Sequence, residues 1–137
     1  MNPQFNRETL PAALAAHGIG YQHEPRLGGL RRARADSPNT AWKNKSFRGY
    51  ADHMLTTEFR EALERLMEAG RSERVAIMCA EAVPWRCHRS LVADALTVRG
   101  VPVEHVMSAA KSQTHAMTPF ARVWDGRITY PGDTPER

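Results

Sequence analysis

The run Arg74-Val-Ala-Ile-Met-Cys79 decides the predicted fold, because it is short, apolar and rich in β-branched residues. Such a run is typical of a strand that is buried on both faces of a sheet. An amphipathic stretch over 89–99 predicts a helix, and the apolar stretch over 101–107 predicts a second strand. Strand, helix and strand in this order form a βαβ unit, whose strands are parallel and whose crossover is right-handed. We therefore predict an α/β fold, with a small, mainly parallel sheet (strands 74–79 and 101–107) and flanking helices.

Outside this unit, apolar spacing and turn residues predict the remaining elements. The periodic positions predict helices over 9–17, 46–55 and 57–69, and a short strand over 19–23. Asp125-Gly126 lies between two alternating runs and predicts a β-hairpin over 120–130. We expect one domain over 1–131, followed by a disordered tail over 132–137.

Composition places the chain among compact, cytoplasmic proteins. The chain has 137 residues, 42% of them hydrophobic and 25% charged, which is close to globular averages and argues against a disordered chain. No apolar run approaches the roughly 20 residues that a spanning helix needs. Met1–Arg7 carries no apolar segment of the kind found in signal peptides. We therefore predict a cytoplasmic protein without membrane contact, in which Cys79 and Cys87 are reduced thiols.

The segment from Cys79 to Arg89 follows the first predicted strand, where open parallel sheets bind their ligands. It ends at the start of a predicted helix, and a helix N-terminus favours anions. We expect this field and the neighbouring arginines to lower the pKa of the Cys87 thiol. The candidate catalytic nucleophile is the thiol of Cys87 or Cys79. The candidate general base is His88 or Glu81. Arg89 is the candidate electrostatic clamp for an anion.

Alternatives for this segment stay open. Cys79 ends a buried strand, and a core role suits a buried cysteine well. An ion pair between Glu81 and Arg89 explains the same charges without a ligand. Metal binding would need Cys79, Cys87, His88 and a distant histidine such as His23 or His115. Paired Cys-x2-Cys or His-x3-His spacings are lacking, so we predict no metal and no cofactor.

The second polar segment, 24–50, carries much of the positive charge. It combines seven basic residues, two acids and three aromatic residues: Arg26, Arg31, Arg32, Arg34, Lys43, Lys45, Arg48; Glu24, Asp36; Trp42, Phe47, Tyr50. Basic and aromatic residues together can follow a phosphate backbone and stack on bases. The candidates for nucleic-acid contact are Arg31, Arg32 and Lys43. A solvated loop that only keeps the protein soluble is the alternative. Further candidates for anion binding are Arg26, Arg48, Tyr50 and His115.

Several motifs along the chain support a family resemblance. They are Asn2-Pro-Gln-Phe-Asn6, Leu27-Gly-Gly29, Asn44-Lys-Ser-Phe-Arg-Gly-Tyr-Ala51, Met78-Cys-Ala-Glu81, Cys87-His-Arg-Ser90, His115 and Phe120-Ala-Arg122. With these motifs the sequence resembles the domain of unknown function 488 family of bacterial and archaeal proteins. The resemblance implies an α/β domain of unestablished function, with the polar residues of the motifs grouped in one pocket.

The same resemblance implies a short N-terminus. Similar proteins begin with an additional strand and helix ahead of the Asn-Pro-Gln-Phe segment, which here follows directly on Met1. A missing strand would leave a sheet edge with unpaired backbone groups, and such an edge pairs readily with another chain. We therefore expect either a homodimer through an exposed sheet edge or marginal stability.

Together these patterns predict a protein that binds or acts on a nucleotide or nucleic acid. The predicted anion-binding pocket consists of Glu81, Cys87, His88 and Arg89. One alternative is a non-catalytic nucleic-acid-binding module that uses the basic loop 26–48. The other is an inactive, truncated relative.

Overall fold

The computed structural model describes residues 10–22, 24–28, 31–78 and 88–132. Its helices are α1 (Leu10–Ala15), α2 (Lys45–His53), α3 (Thr57–Ser72) and α4 (Arg89–Val98), with a 3-10 turn at Pro25–Leu27. Its strands are β1 (Glu104–Ser108), β2 (Lys111–Thr114), β3 (Arg122–Trp124) and β4 (Arg127–Thr129). None of the helices in this part of the chain is long and apolar enough to cross a membrane.

The four strands form two separate antiparallel hairpins. In the first, β1 pairs with β2, with Glu104 opposite Thr114 and an irregularity between Val106 and Ser108. In the second, β3 pairs with β4. Asp125 and Gly126 connect β3 to β4 and have φ angles of 53° and 75°, the left-handed region that a tight hairpin turn needs. The predicted hairpin over 120–130 is therefore confirmed.

The predicted parallel sheet is wrong. Residues 74–78 form no strand, and the side chains of Val75 and Met78 are 42% and 47% exposed. The predicted strand over 101–107 starts only at Glu104, and its ladder partner is the adjacent strand β2. An apolar run becomes a strand only when another strand supplies its hydrogen bonds. Here the adjacent strand β2, reached through a short turn, supplies the hydrogen bonds of β1. No βαβ unit therefore forms among the described residues.

The helices follow the sequence pattern more closely. The Asn44 side chain accepts hydrogen bonds from Ser46 N (2.8 Å) and Phe47 N (3.2 Å), and so caps α2. Thr56 caps α3 in the same way through Phe59 N. Helices α2, α3 and α4 confirm the predictions for 46–55, 57–69 and 89–99 within a few residues at each end. No strand forms over the described residues 19–22.

The core lies where α2, α3, α4 and β4 meet. Its largest buried members are Tyr50, Phe59, Leu63, Leu91 and Tyr130. Trp42 adds a partly buried indole, with ring centroids 5.0 Å from Phe47, 5.0 Å from Phe120 and 5.5 Å from Tyr130. These contacts hold the basic segment against the helices and the second hairpin.

One glycine permits the basic segment to cross α2. A Cβ atom on Gly49 would lie 1.9 Å from the carbonyl oxygen of Arg31 and 2.8 Å from Ala33 N. Only a residue without a side chain fits at this crossing. Gly49 therefore fixes where Arg31 passes over the helix.

Candidate functional site

Asp94 lies in the middle of α4 and is fully buried. Its Oδ1 accepts hydrogen bonds from His115 Nε2 (2.7 Å) and Thr118 N (3.2 Å). Its Oδ2 accepts from Thr118 Oγ1 (2.7 Å) and Tyr130 Oη (2.8 Å). A buried carboxylate is tolerated only when hydrogen bonds replace its water, and these four contacts do so. Asp94 therefore ties α4 to residues 115–118 and to the end of β4.

A second imidazole extends this network toward the surface. His105 Nε2 lies 2.8 Å from His115 Nδ1. Because His115 Nε2 donates to Asp94, Nδ1 of neutral His115 accepts, and His105 donates from its Nε2. The lone pair of neutral His105 then lies on Nδ1. We call Asp94, His115 and His105 the histidine relay, because hydrogen bonds connect His105 through His115 to a buried carboxylate.

The surroundings favour the neutral form of His105. Burial lowers the pKa of His105, and the charges of His115 and Arg89 lower it further, against the opposing effect of Asp94. A neutral imidazole near pH 7 can accept a proton, which is the requirement for a general base. The relay thus ends in a half-buried group that is able to take a proton.

His88 and Arg89 lie at the start of α4, close to the relay. The His88 ring packs on Tyr50, with a centroid distance of 4.8 Å. Burial lowers the pKa of His88, followed by the charge of Arg89, while a hydrogen bond to the Leu27 backbone raises it. The positive charge of Arg89 therefore lowers the pKa of both His88 and His105.

Arg31 adds a further positive charge to this region. Its Nη2 donates to Pro25 O (2.8 Å) and its Nε to Gly28 O (3.3 Å), so the guanidinium folds back on the 3-10 turn. The charge of Arg31 also lowers the pKa of His88. We call Arg31, His88, Arg89 and His105 the cationic cluster.

Helix α2 holds the 3-10 turn that supports this cluster. Tyr50 Oη donates to Leu27 O at 2.8 Å, and His53 Nε2 lies 2.6 Å from Arg26 O. Burial lowers the pKa of His53, which keeps the ring neutral and its Nε2 a donor to the carbonyl. Tyr50 is buried, and burial raises the pKa of its hydroxyl. These two side chains position the turn and, with it, the Arg31 guanidinium.

The candidate residues from the sequence fall into three groups. The first lies outside the described residues: Cys79, Glu81, Cys87 and His23. The second lies in the cationic cluster or the histidine relay: His88, Arg89, Arg31 and His115. The third consists of Arg26, Arg48, Tyr50, Arg32 and Lys43, which lie elsewhere on the 24–50 segment.

Members of the third group differ in what they contact. Arg26 Nε pairs with Glu24 Oε1 at 2.9 Å, and Arg48 Nε donates to Trp42 O at 3.1 Å. Arg32 and Lys43 are exposed. Among the described residues, no group of three or more His, Cys, Asp or Glu side chains is arranged to hold a metal ion.

Sequence reasoning missed Asp94 and His105. Asp94 had a detectable signal, because it is a carboxylate within the apolar run Leu91-Val-Ala-Asp-Ala-Leu96, where charge is costly unless it is satisfied. His105 had none, because its role depends on the 2.8 Å approach to His115 across the first hairpin. Residues ten positions apart meet there only because β1 and β2 pair.

Comparisons with known proteins identify a family. No curated protein and no solved structure is detectably similar to the chain. The family described as "Domain of unknown function DUF488" matches residues 1–96. This range includes α2, α3 and most of α4, whereas His105 and His115 lie beyond it. Since the match covers more than half of the sequence, the chain belongs to the domain of unknown function DUF488 family.

Proposed function

We propose that the protein binds a phosphate-bearing ligand, a nucleotide or a nucleic-acid strand, at the cationic cluster, and acts on it with the histidine relay. The observation that supports this function is the chain of hydrogen bonds from the buried Asp94 through His115 to His105, whose pKa the positive charge of Arg89 lowers. A guanidinium matches the geometry and charge of phosphate oxygens. An imidazole backed by a buried carboxylate supplies a proton acceptor beside that anion.

The residues of the cluster have different roles in this function. Arg89 and Arg31 attract the phosphate, and His88 contributes a ring that packs on Tyr50. Water attacks the phosphorus of the phosphate ester while His105 accepts its proton at Nδ1, and the negative charge of Asp94 favours the resulting imidazolium. The ester P–O bond breaks, and the alcohol leaves with a proton from the solvent. The roles predicted from the sequence for Cys87 or Cys79 as nucleophile and Glu81 as base stay predictions within this proposal.

Polynucleotide binding by the basic loop 26–48 is the second candidate, with weaker support. Arg34 pairs with Asp36, and Arg26 pairs with Glu24. Trp42 packs among core aromatic rings and so is not presented for base stacking. Exposed positive charge in the loop comes from Arg32, Lys43 and Lys45.

Two further expectations accompany this function. We propose a cytoplasmic location, where nucleotides and nucleic acids are available as ligands. We also propose that the protein forms a homodimer through a sheet edge. Among the described residues each sheet consists of two strands, and Val106 in β1 is 78% exposed. Light scattering of the purified chain tests this, and a monomer at high concentration would contradict it.

Histidine NMR titration tests the binding site directly. Addition of adenosine monophosphate should raise the pKa of His88 and His105, because a bound anion offsets the charge of Arg89. Arg89→Ala should abolish this response, and Arg89→Lys should retain part of it if charge matters. Arg71→Ala removes an equal charge from an exposed ion pair on α3 and serves as the matched control. A response that survives in Arg89→Ala, or is lost equally in Arg71→Ala, would contradict the site.

Salt and variants separate the two candidate functions. Binding of a single-stranded oligonucleotide through the loop should weaken steeply with salt and fall in Arg32→Ala and Lys43→Ala. Binding at the cationic cluster should be nearly indifferent to these two substitutions. The response of each variant to the mononucleotide and to the oligonucleotide identifies which surface binds.

A further inference from the structure

A cleft lies between the end of α2, α3, α4 and the turn of the second hairpin. Its volume is about 240 Å³. The lining shares no residue with the histidine relay or the cationic cluster. The cleft is therefore a separate site from the one proposed above.

Three guanidiniums line this cleft. Arg60 comes from α3, Arg99 follows α4 and Arg127 begins β4, so three different parts of the chain bring positive charge to one place. Asp125 supplies one carboxylate. The lining therefore carries a net charge of two positive units. A phosphate monoester carries about −1.5 to −2 at pH 7, which matches this charge.

The geometry of the cleft favours a bound molecule over a solvated surface. Arg99 Nη1 donates to Ala95 O at 3.2 Å, which holds the guanidinium along the last turn of α4. Asp125 and Gly126 take left-handed backbone angles, which fix the hairpin turn at the edge of the cleft. The Arg99 guanidinium is thus positioned before any ligand arrives, which reduces the entropy lost on binding.

Part of the lining of the cleft is apolar. Met54 and Leu55 are half-buried and line it. A bare inorganic anion would leave this apolar surface uncovered, whereas a carbon body would cover it. The Asp125 carboxylate can accept hydrogen bonds from hydroxyl groups on that body.

We propose that this cleft binds a small phosphate monoester with a hydroxyl-bearing carbon body, such as a short phosphorylated sugar. Arg60, Arg99 and Arg127 bind the phosphate, Asp125 accepts from a hydroxyl, and the carbon atoms cover Met54 and Leu55. Pockets for drug-sized ligands hold about 300 to 1,000 Å³, so the smaller cleft fits a smaller molecule.

Calorimetric titration with ribose 5-phosphate tests this site. Ribose and inorganic phosphate are the comparison ligands, and each should bind at least about tenfold more weakly, because each lacks one set of contacts. Arg60→Ala and Arg127→Ala should each weaken ribose 5-phosphate binding about tenfold or more. Both arginines are exposed, so these variants should fold. Arg71→Ala, on the same helix as Arg60, should leave binding unchanged.

Amide NMR distinguishes this cleft from the cationic cluster. Ribose 5-phosphate should shift the Gly126 and Ile128 amide signals, and Arg89→Ala, in the cationic cluster, should leave these shifts unchanged. Shifts at His105 alone would assign the sugar phosphate to the other site and overturn the proposal. Equal binding of ribose, or full binding by an Arg60→Ala and Arg127→Ala double variant, would overturn it as well.

Discussion

Two buried carboxylates, Asp52 in α2 and Asp94 in α4, connect the secondary structure through different kinds of donors. Asp52 accepts from Arg34 N (2.8 Å), Ser37 Oγ (2.5 Å) and Asn39 Nδ2 (2.7 Å), none of which titrates near neutral pH. Asp94 accepts from backbone and hydroxyl donors and also from the His115 imidazole. The first carboxylate therefore holds a loop in place. The second carboxylate also holds a loop in place, and in addition it is hydrogen-bonded to an imidazole, a side chain that can take up a proton.

Replacing each carboxylate should produce the largest effect. Asp94→Ala leaves four donors without their acceptor in a fully buried site, and we expect the free energy of unfolding to fall by about 3 to 5 kcal/mol. Asp52→Ala leaves three donors without their acceptor close to the surface loop 34–39, and we expect the free energy of unfolding to fall by about 2 to 3 kcal/mol. Urea denaturation of both variants measures the difference. Equal losses would show that the two networks contribute alike.

Removal of one hydroxyl from each network should give a smaller difference. Tyr130→Phe deletes a donor to Asp94 where both residues are buried, so water cannot replace it, and we expect a loss of about 2 kcal/mol. Ser37→Ala deletes a donor to Asp52 from a half-buried side chain, where water can enter, and should cost about 1 kcal/mol. Thermal unfolding followed by circular dichroism checks the ranking. A larger loss in Ser37→Ala than in Tyr130→Phe would reverse it.

The dependence of stability on pH should show the smallest effect per residue. The pKa of His105 is lower in the folded state than the unfolded value near 6.5, so the unfolded chain takes up protons first. The contribution of His105 to the free energy of unfolding is then fully present above that value. It falls as the pH drops through the value toward the folded pKa, by less than about 1.4 kcal/mol per pH unit for each histidine. His53 and His88 contribute with the same sign.

One substitution isolates the contribution of the histidine relay to the pH dependence of the free energy of unfolding. His105→Gln should flatten the plot of unfolding free energy against pH between about 5 and 7. Ser37→Ala, at the other carboxylate, should lower the whole plot without a change of slope. A slope that is the same in His105→Gln and in the original chain would show that the relay does not titrate in this range.

Local patterns in the sequence predicted the helices and the second hairpin well. The apolar spacing of Phe59, Leu63 and Leu66 and the caps at Asn44 and Thr56 act within one or two turns, so α2 and α3 could be predicted from neighbouring residues alone. Asp125-Gly126 likewise specifies its own turn. Such signals need no knowledge of the rest of the chain.

Strand pairing and the histidine relay could not be predicted in this way. The apolar content of 74–79 resembles that of a buried strand, yet its role depends on a partner elsewhere in the chain. The contact of His115 with Asp94 joins residues 21 positions apart and depends on how the first hairpin packs on α4. The site therefore becomes visible only when the tertiary contacts are known.

The order of the partners along the chain has a consequence for synthesis. All three donors to Asp52 precede it, whereas the side-chain partners of Asp94 follow it by 21, 24 and 36 residues. During translation α2 can settle as soon as it leaves the ribosome. At roughly 5 to 20 residues per second, α4 waits about 2 to 7 seconds for Tyr130 to be made. Over that interval the Asp94 carboxylate and the apolar face of α4 lack Tyr130 as a partner, so a nascent chain that stalls before residue 130 leaves this helix open to aggregation.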